Sequence, residues 1–134
     1  MAKKHDLELV VVTPERQVLS ERVDSVVIPA HDGEYGILYN HTPVMCELGV
    51  GQLRYAQSGQ TRRVFIDGGF AQVNDNIVTV LTTDALLATE ITSEAVAKAE
   101  SAARAATGTS AEATAERDRA RRRVRAMTAV ASAR

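Results

Sequence analysis

One cysteine in 134 residues rules out an internal disulfide, and Cys46 lies in an apolar run, Val44-Met45-Cys46, that would bury it. The simplest setting for such a chain is a reducing compartment. No run approaches the roughly 20 apolar residues needed to cross a bilayer. The start, Met-Ala-Lys-Lys-His-Asp, also lacks the apolar stretch of a secretory signal, so membrane association has to come through a partner. The three histidines, His5, His31 and His41, match no metal-ligand spacing even with Cys46 added, and no metal is expected. A Gly-x-x-x-x-Gly-Lys-Ser/Thr phosphate loop is absent. His31 beside Asp32, or His41 with Glu34, would be the only acid–base couples, and no nucleophile is arranged around either. His41 reads better as a side chain whose nitrogens stabilise its own turn. No catalytic residue and no cofactor follow from the sequence.

Residues 1 to 90 hold all the Phe, Tyr and Pro and all but one of the Gly, whereas residues 91 to 134 are mostly Ala, Arg, Glu, Ser and Thr. The first part has seven Lys/Arg against twelve Asp/Glu, and the second has nine against five. A net charge of −1 therefore hides an acidic body and a basic tail. The division predicts one small domain over 1–86 and an appendage over 87–134.

In the body, short β-rich runs alternate with turn residues. Leu7 to Thr13 forms a first strand, with Leu7, Leu9 and Val11 on one face by the two-residue period. Pro14 ends it. Gln17 to Ser20 and Arg22 to Pro29 follow, and because Val23 and Val26 cannot share a face of a regular strand, a bulge or bend is expected near Ser25. Further strands are expected over Val44 to Leu48, Gly51 to Ala56, Thr61 to Asp67, Phe70 to Val73 and Ile77 to Thr82. Ser58-Gly59, Gly68-Gly69 and Asn74-Asp75-Asn76 are the breaks between them. The pattern predicts an antiparallel β-sandwich or flattened barrel, with no helix of useful length before Asp84.

Past a junction at 84–92, Thr92 or Ser93 caps a helix with Glu94 in its first turn, running to about Ala106. Thr107-Gly108-Thr109-Ser110 stops it, and Ser110 caps a second helix through about Ala131. The short linker makes an antiparallel two-helix hairpin. Val96, Ala99, Ala103 and Ala106 are expected to face Ala113, Ala120, Val124, Met127 and Ala131. Such an alanine seam buries little, at ~0.8 kcal/mol per CH₂, so the helices should form readily and be held weakly. On the second helix Arg117, Arg121 and Arg125 stack at four-residue intervals with no acid four positions away. Like charges so placed destabilise a helix and point to an external anionic surface.

Between the third strand and Val44 lies His31-Asp-Gly-Glu-Tyr-Gly-Ile-Leu-Tyr-Asn-His-Thr-Pro-Val44. Gly33 and Gly36 would permit positive φ on either side of Glu34 and Tyr35, and Ile37-Leu38-Tyr39 reads as a short strand before a turn at Asn40-His41-Thr42-Pro43. The run Gly-Glu-x-Gly-Ile-Leu-x-x-His-x-Pro resembles the signature of the ε subunit of F-type ATP synthases. The likeness continues in order through Gly49-Val-Gly-Gln-Leu-Arg54, Asp67-Gly-Gly-Phe70 and Asn76-Ile-Val-Thr-Val-Leu81. Tyr39 stands where that family often has Pro.

This resemblance implies a non-catalytic rotor subunit of the central stalk, peripheral on the cytoplasmic face of a bacterial plasma membrane. Its implied partners are the γ subunit, the c ring and, through the hairpin, the catalytic β subunits. Glu34, Tyr35, Gly36, Ile37 and His41 would meet the c ring; Arg117, Arg121 and Arg125 would meet the catalytic subunits, with the extended hairpin opposing ATP hydrolysis. Some bacterial members bind ATP through Ile/Leu-Asp-x-x-Arg-Ala, but Ile91-Thr92-Ser93-Glu94-Ala95-Val96 here lacks both the Asp and the Arg. The residues alone leave two other readings. One is a free-standing β-sandwich binding module whose basic arm takes an anionic partner such as nucleic acid, although no aromatic residues lie beside the arginines for stacking. The weaker is a small enzyme using His31 or His41.

Overall fold

Alternation places Leu7, Leu9 and Val11 on the inner face of β1 (Leu7–Val12), and all three are buried in the computed structural model, which describes residues 6–132. Seven strands follow: β2 (Gln17–Val23), β3 (Ser25–Ala30), β4 (Gly33–Ile37), β5 (Val44–Gln57), β6 (Gln60–Asn74), β7 (Ile77–Leu81) and β8 (Ala85–Leu87). Their order is β2-β1-β7-β6-β5-β3-β4, with β8 also paired to β6. This is a β-sandwich whose sheet stays open, with β2 and β4 as its outer strands, and not a closed barrel. All pairings are antiparallel except β1 with β7. A parallel pair needs a long crossover, and here all the intervening strands supply it.

The expected breaks at Gly49-Val50 and Gly68-Gly69 do not interrupt the strands. β5 and β6 run through them as one long hairpin, paired from Val44↔Val73 to Gln57↔Gln60. Gly68 and Gly69 have φ of +70° and +101°, and there β6 changes partner, from β8 over Val64–Ile66 to β7 over Phe70–Asn74. The glycines mark a bend where one hairpin serves both layers. At the hairpin tip Ser58 and Gly59 both have positive φ, as do Asp75 and Asn76 between β6 and β7. That is the backbone of two-residue hairpin turns matched to strand twist.

Two other local expectations shift. Asp24, not Glu21, separates β2 from β3, so Val23 and Val26 are both buried because they belong to different strands. The irregularity in β3 lies between Val27 and Ala30, where Pro29 has no N–H to give and its ring packs against Gly51. Beyond Ala30, a turn at His31-Asp32 leads directly into β4, so the short strand occupies Gly33–Ile37 and not the expected Ile37–Tyr39. Only Gly33 of its two glycines has positive φ. Asn40, at φ +65°, turns the chain and donates its N–H to Asn76 Oδ1 at 2.6 Å.

After β8 a single 3₁₀ turn, Ala88–Glu90, leads to α1 (Ser93–Ala105) and α2 (Ala111–Ser132). Thr92 Oγ1 accepts from the Ala95 N–H at 3.0 Å and Ser110 Oγ from the Ala113 N–H at 3.1 Å, so both caps form as their residue types predict. Glu90 accepts from the Leu87 N–H and from Arg16, whose guanidinium pairs with the carboxylate at 2.8 Å. The hydrogen bond from Arg16 holds the Glu90 carboxyl below its ordinary range, against a smaller opposing effect of burial. A depressed carboxyl contributes stability that is present above its unfolded pKa and lost as pH falls through the folded one. The pair is partly exposed, so its contribution is small. Arg16→Gln should lower Tm by ~1–4 °C at neutral pH and by nothing near pH 2, in paired thermal melts.

The alanine seam is only part of what α2 does. Ala126, Met127 and Val130 are buried with Phe65 and Ile91 in a second core, and Val96, Ala99 and Ala131 lie at its margin. Ala126 and Val130 fall outside the expected stripe because α2 faces two surfaces at once, α1 and the sandwich.

Candidate functional site

Two outer surfaces of the sandwich and one face of α2 carry exposed apolar or charged groups. The first is the edge formed by β4. Glu34 is exposed and takes Arg54 on both carboxylate oxygens, each at 3.1 Å. Tyr35 is half-buried, and its hydroxyl lies 3.1 Å from His41 Nε2. His41 Nδ1 is 2.7 Å from the Thr42 carbonyl, which can only accept, so Nδ1 carries the proton and Nε2 accepts from Tyr35. His41 is thus a brace for its turn. Gly36 is exposed and has nothing within 4 Å of a Cβ built on it, so the backbone of this edge strand is bare to an approaching partner. Ile37 is wholly buried in the core and offers a partner only its main chain. Leu38, which the sequence did not single out, is 65% exposed beside it.

The second surface is the outer face of β5, β6 and β7. Met45, Phe70, Ile77 and Leu81 are all exposed there, and Phe70 and Leu81 are cross-strand partners. Large apolar side chains gathered on one face mark an interaction surface more than scattered single ones do. Cys46, on the opposite side of β5 from Met45, is partly buried, and burial pushes its thiol pKa up, so it stays protonated at neutral pH.

On α2 the arginines divide. Arg117 turns back to the interhelical loop, donating to the Gly108 carbonyl at 3.1 Å. Arg121 is exposed along the cleft between the helices. Arg125 is exposed and lines, with Arg122 and Glu34, a cavity of about 310 Å³ between α2 and the β3–β4 edge. With α2 packed on the sandwich, the three therefore stand in different surroundings. Arg119 and Arg123, missed from the sequence, converge instead on Asp67. Arg119 Nη2 is 2.8 Å from Oδ1, Arg123 Nη1 contacts Oδ2, and Arg123 Nη2 is 3.6 Å from Asp84. Arg123 also lies over the Phe65 ring, 5.2 Å from its centroid. The available signal was the continuation of Arg119 and Arg123, at i and i+4, into Met127 and Val130 on the same helical face.

Among the described residues no three His, Cys, Asp or Glu side chains gather as a metal site. His5 lies outside the described residues, and His31 and Asp32 are exposed in their turn. Nor is any described helix long and apolar enough to cross a membrane.

Residues 6–88 match the family described as ATP synthase, Delta/Epsilon chain, beta-sandwich domain. The ATP synthase epsilon chain of Nitratidesulfovibrio vulgaris (strain DSM 19637 / Miyazaki F) is 50% identical over 93 residues, 69% of each chain. The chain belongs to the ATP synthase epsilon family. The epsilon chain of Symbiobacterium thermophilum is 44% identical over 104 residues, covering 74% of this chain and 75% of that one. A chain in the cryo-EM structure of the Euglena gracilis mitochondrial ATP synthase, comprising OSCP, F1 and c-ring, superposes with a TM-score of 0.77 at 27% identity. That match covers 96% of this chain and 83% of the other. A chain from the Tetrahymena thermophila mitochondrial ATP synthase central stalk and c-ring shares the fold, with a TM-score of 0.70 at 15% identity over 97% and 99% of the two chains. This epsilon-family chain is a non-catalytic subunit of an F-type ATP synthase.

Proposed function

We propose that the chain is a rotor subunit of the central stalk, on the cytoplasmic face of a bacterial plasma membrane, that joins the γ subunit to the c ring and passes proton-driven rotation to the catalytic head. The observation that carries this reading is one continuous sheet bearing two separate exposed surfaces, the apolar face of β5, β6 and β7 and the bare edge of β4. Torque needs a body that does not yield between its two attachments, and a sandwich with a single buried core supplies it. We assign the β5–β7 face to γ, because Phe70 and Leu81 suit a large dry contact. The β4 edge goes to the c ring, with Glu34, Tyr35, Gly36 and His41 at the contact and Ile37 anchoring it from within. Residues 1–86 form the coupling domain and 87–134 the regulatory hairpin. In its extended position the hairpin opposes ATP hydrolysis, with Arg117, Arg121 and Arg125 meeting carboxylates of the catalytic β subunits.

The experiment is replacement of Glu34 and Tyr35 together by Ala. In the assembled complex, proton pumping per ATP hydrolysed should fall markedly. The isolated chain should lose only ~1–2 kcal/mol of stability, from the half-buried Tyr35 ring and its bond to His41. Full coupling in the double variant would remove the β4 edge from the c-ring contact.

A further inference from the structure

We propose that Asp67 is the latch of the hairpin: a single carboxylate in the wall of the sandwich that keeps α2 docked by pairing with Arg119 and Arg123, and whose neutralisation frees the helix. The inference rests on the reading of the hairpin as a movable brake and names what holds it in the docked position.

Three observations carry it. The main chain of Asp67 is pinned by the sandwich alone, its N–H bonded to the Asp84 carbonyl at 3.0 Å and its own carbonyl accepting from Thr83 Oγ1 at 2.6 Å. Its side chain is 8% exposed, yet among the described residues the carboxylate oxygens are met only by the two arginines of α2, 52 and 56 positions further along the chain. Those arginines share one helical face with Met127 and Val130, which close over Phe65.

The consequence is a conditional contact. With α2 away, Asp67 is open to water and needs no partner. With α2 docked and the arginines missing, it becomes a buried unpaired charge, which is strongly unfavourable. Docking is therefore permitted only in the register that brings both guanidiniums to the carboxylate. Apolar packing of Met127 and Val130 on Phe65 would tolerate neighbouring registers; the charge does not. Arg123 contributes more than Arg119, because its side chain is 30% exposed against 57% and it also covers Phe65. Release uncovers a face with two guanidiniums beside Met127 and Val130. Such a face suits a partner groove that is acidic and apolar, and the sandwich and that partner cannot hold it at the same time.

The test uses the full chain with Cys46→Ser and spin labels at the exposed positions Ser58 and Thr128, read by pulsed dipolar distance measurement. The parent should give one narrow distribution. Asp67→Asn, and separately Arg119→Gln with Arg123→Gln, should each raise the detached, broad fraction tenfold or more. Adding the arginine changes to Asp67→Asn should then raise it little further, because both act on one contact. The arginine variant alters only the helix, so it decides the matter if Asp67→Asn disturbs the sandwich. A narrow distribution in the arginine variant, or fully additive effects, would overturn the latch. ATP hydrolysis by the assembled complex is a separate readout. Detachment without any change in hydrolysis would support the latch and sink the brake; hydrolysis raised by hairpin deletion, with no detachment in these variants, would sink the latch alone.

Discussion

A chain carrying Gly69→Ala should fail to form the native sandwich, or should melt at least ~10 °C below the parent. The Cβ of an alanine would lie 2.0 Å from the Leu81 carbonyl oxygen and 2.8 Å from Thr82 Cα, both main-chain atoms with no side-chain freedom to yield. At φ +101° the backbone conformation is itself unfavourable for an L-residue. Relief requires β7 to move off β6 at the point where β6 changes partner, so the loss should reach ~3 kcal/mol or more. A single domain has ~5–15 kcal/mol in all. Gly36→Ala is the control, since its φ is not positive and nothing stands within 4 Å of the new Cβ. That variant should melt within ~3 °C of the parent. If calorimetry finds Gly69→Ala equally benign, the bend at Gly68–Gly69 is not a fixed feature of the fold.

Cutting the chain after Glu90 should raise ATP hydrolysis by the assembled complex severalfold while leaving the sandwich folded. The cut keeps β8 and the Arg16–Glu90 pair and removes both helices. It uncovers Phe65, which is completely buried under α2, and burying a Phe is worth ~1.5–3 kcal/mol. The isolated body should therefore unfold cooperatively at a Tm lower by roughly 5–10 °C. A non-cooperative melt would mean that the hairpin completes the core and that 1–86 is not an autonomous unit. Arg117→Ala, Arg121→Ala and Arg125→Ala together should give part of the increase in hydrolysis, and high salt should mimic it in the parent. Each exposed pair is worth only ~0.2–1 kcal/mol, so three are needed to move the hairpin measurably. If neither the cut nor the triple substitution changes hydrolysis, the arm is not a brake in this protein.

What the sequence determined by itself are the features decided by neighbours along the chain. The two-residue alternation in β1, the turn residues Ser58-Gly59 and Asp75-Asn76, the caps Thr92 and Ser110 and the hairpin linker all depend on bonds or dihedrals within a few residues, and all are found where the residue types predict them. Of the β4 edge only the brace between Tyr35 and His41 is local, six positions apart, whereas Glu34 pairs with Arg54, twenty positions on. Only the tertiary structure decided that Gly49, Gly68 and Gly69 lie inside strands, because that depends on what packs against them: the Ala30 carbonyl against Gly49, the Leu81 carbonyl against Gly69. It also decided which arginines are engaged. Six Arg on one helix look alike locally, and Asp67 reads only as the last residue of a strand before two glycines. Arg119 and Arg123 are singled out only when α2 folds back over β6 and brings its guanidiniums to a carboxylate more than fifty residues earlier in the chain.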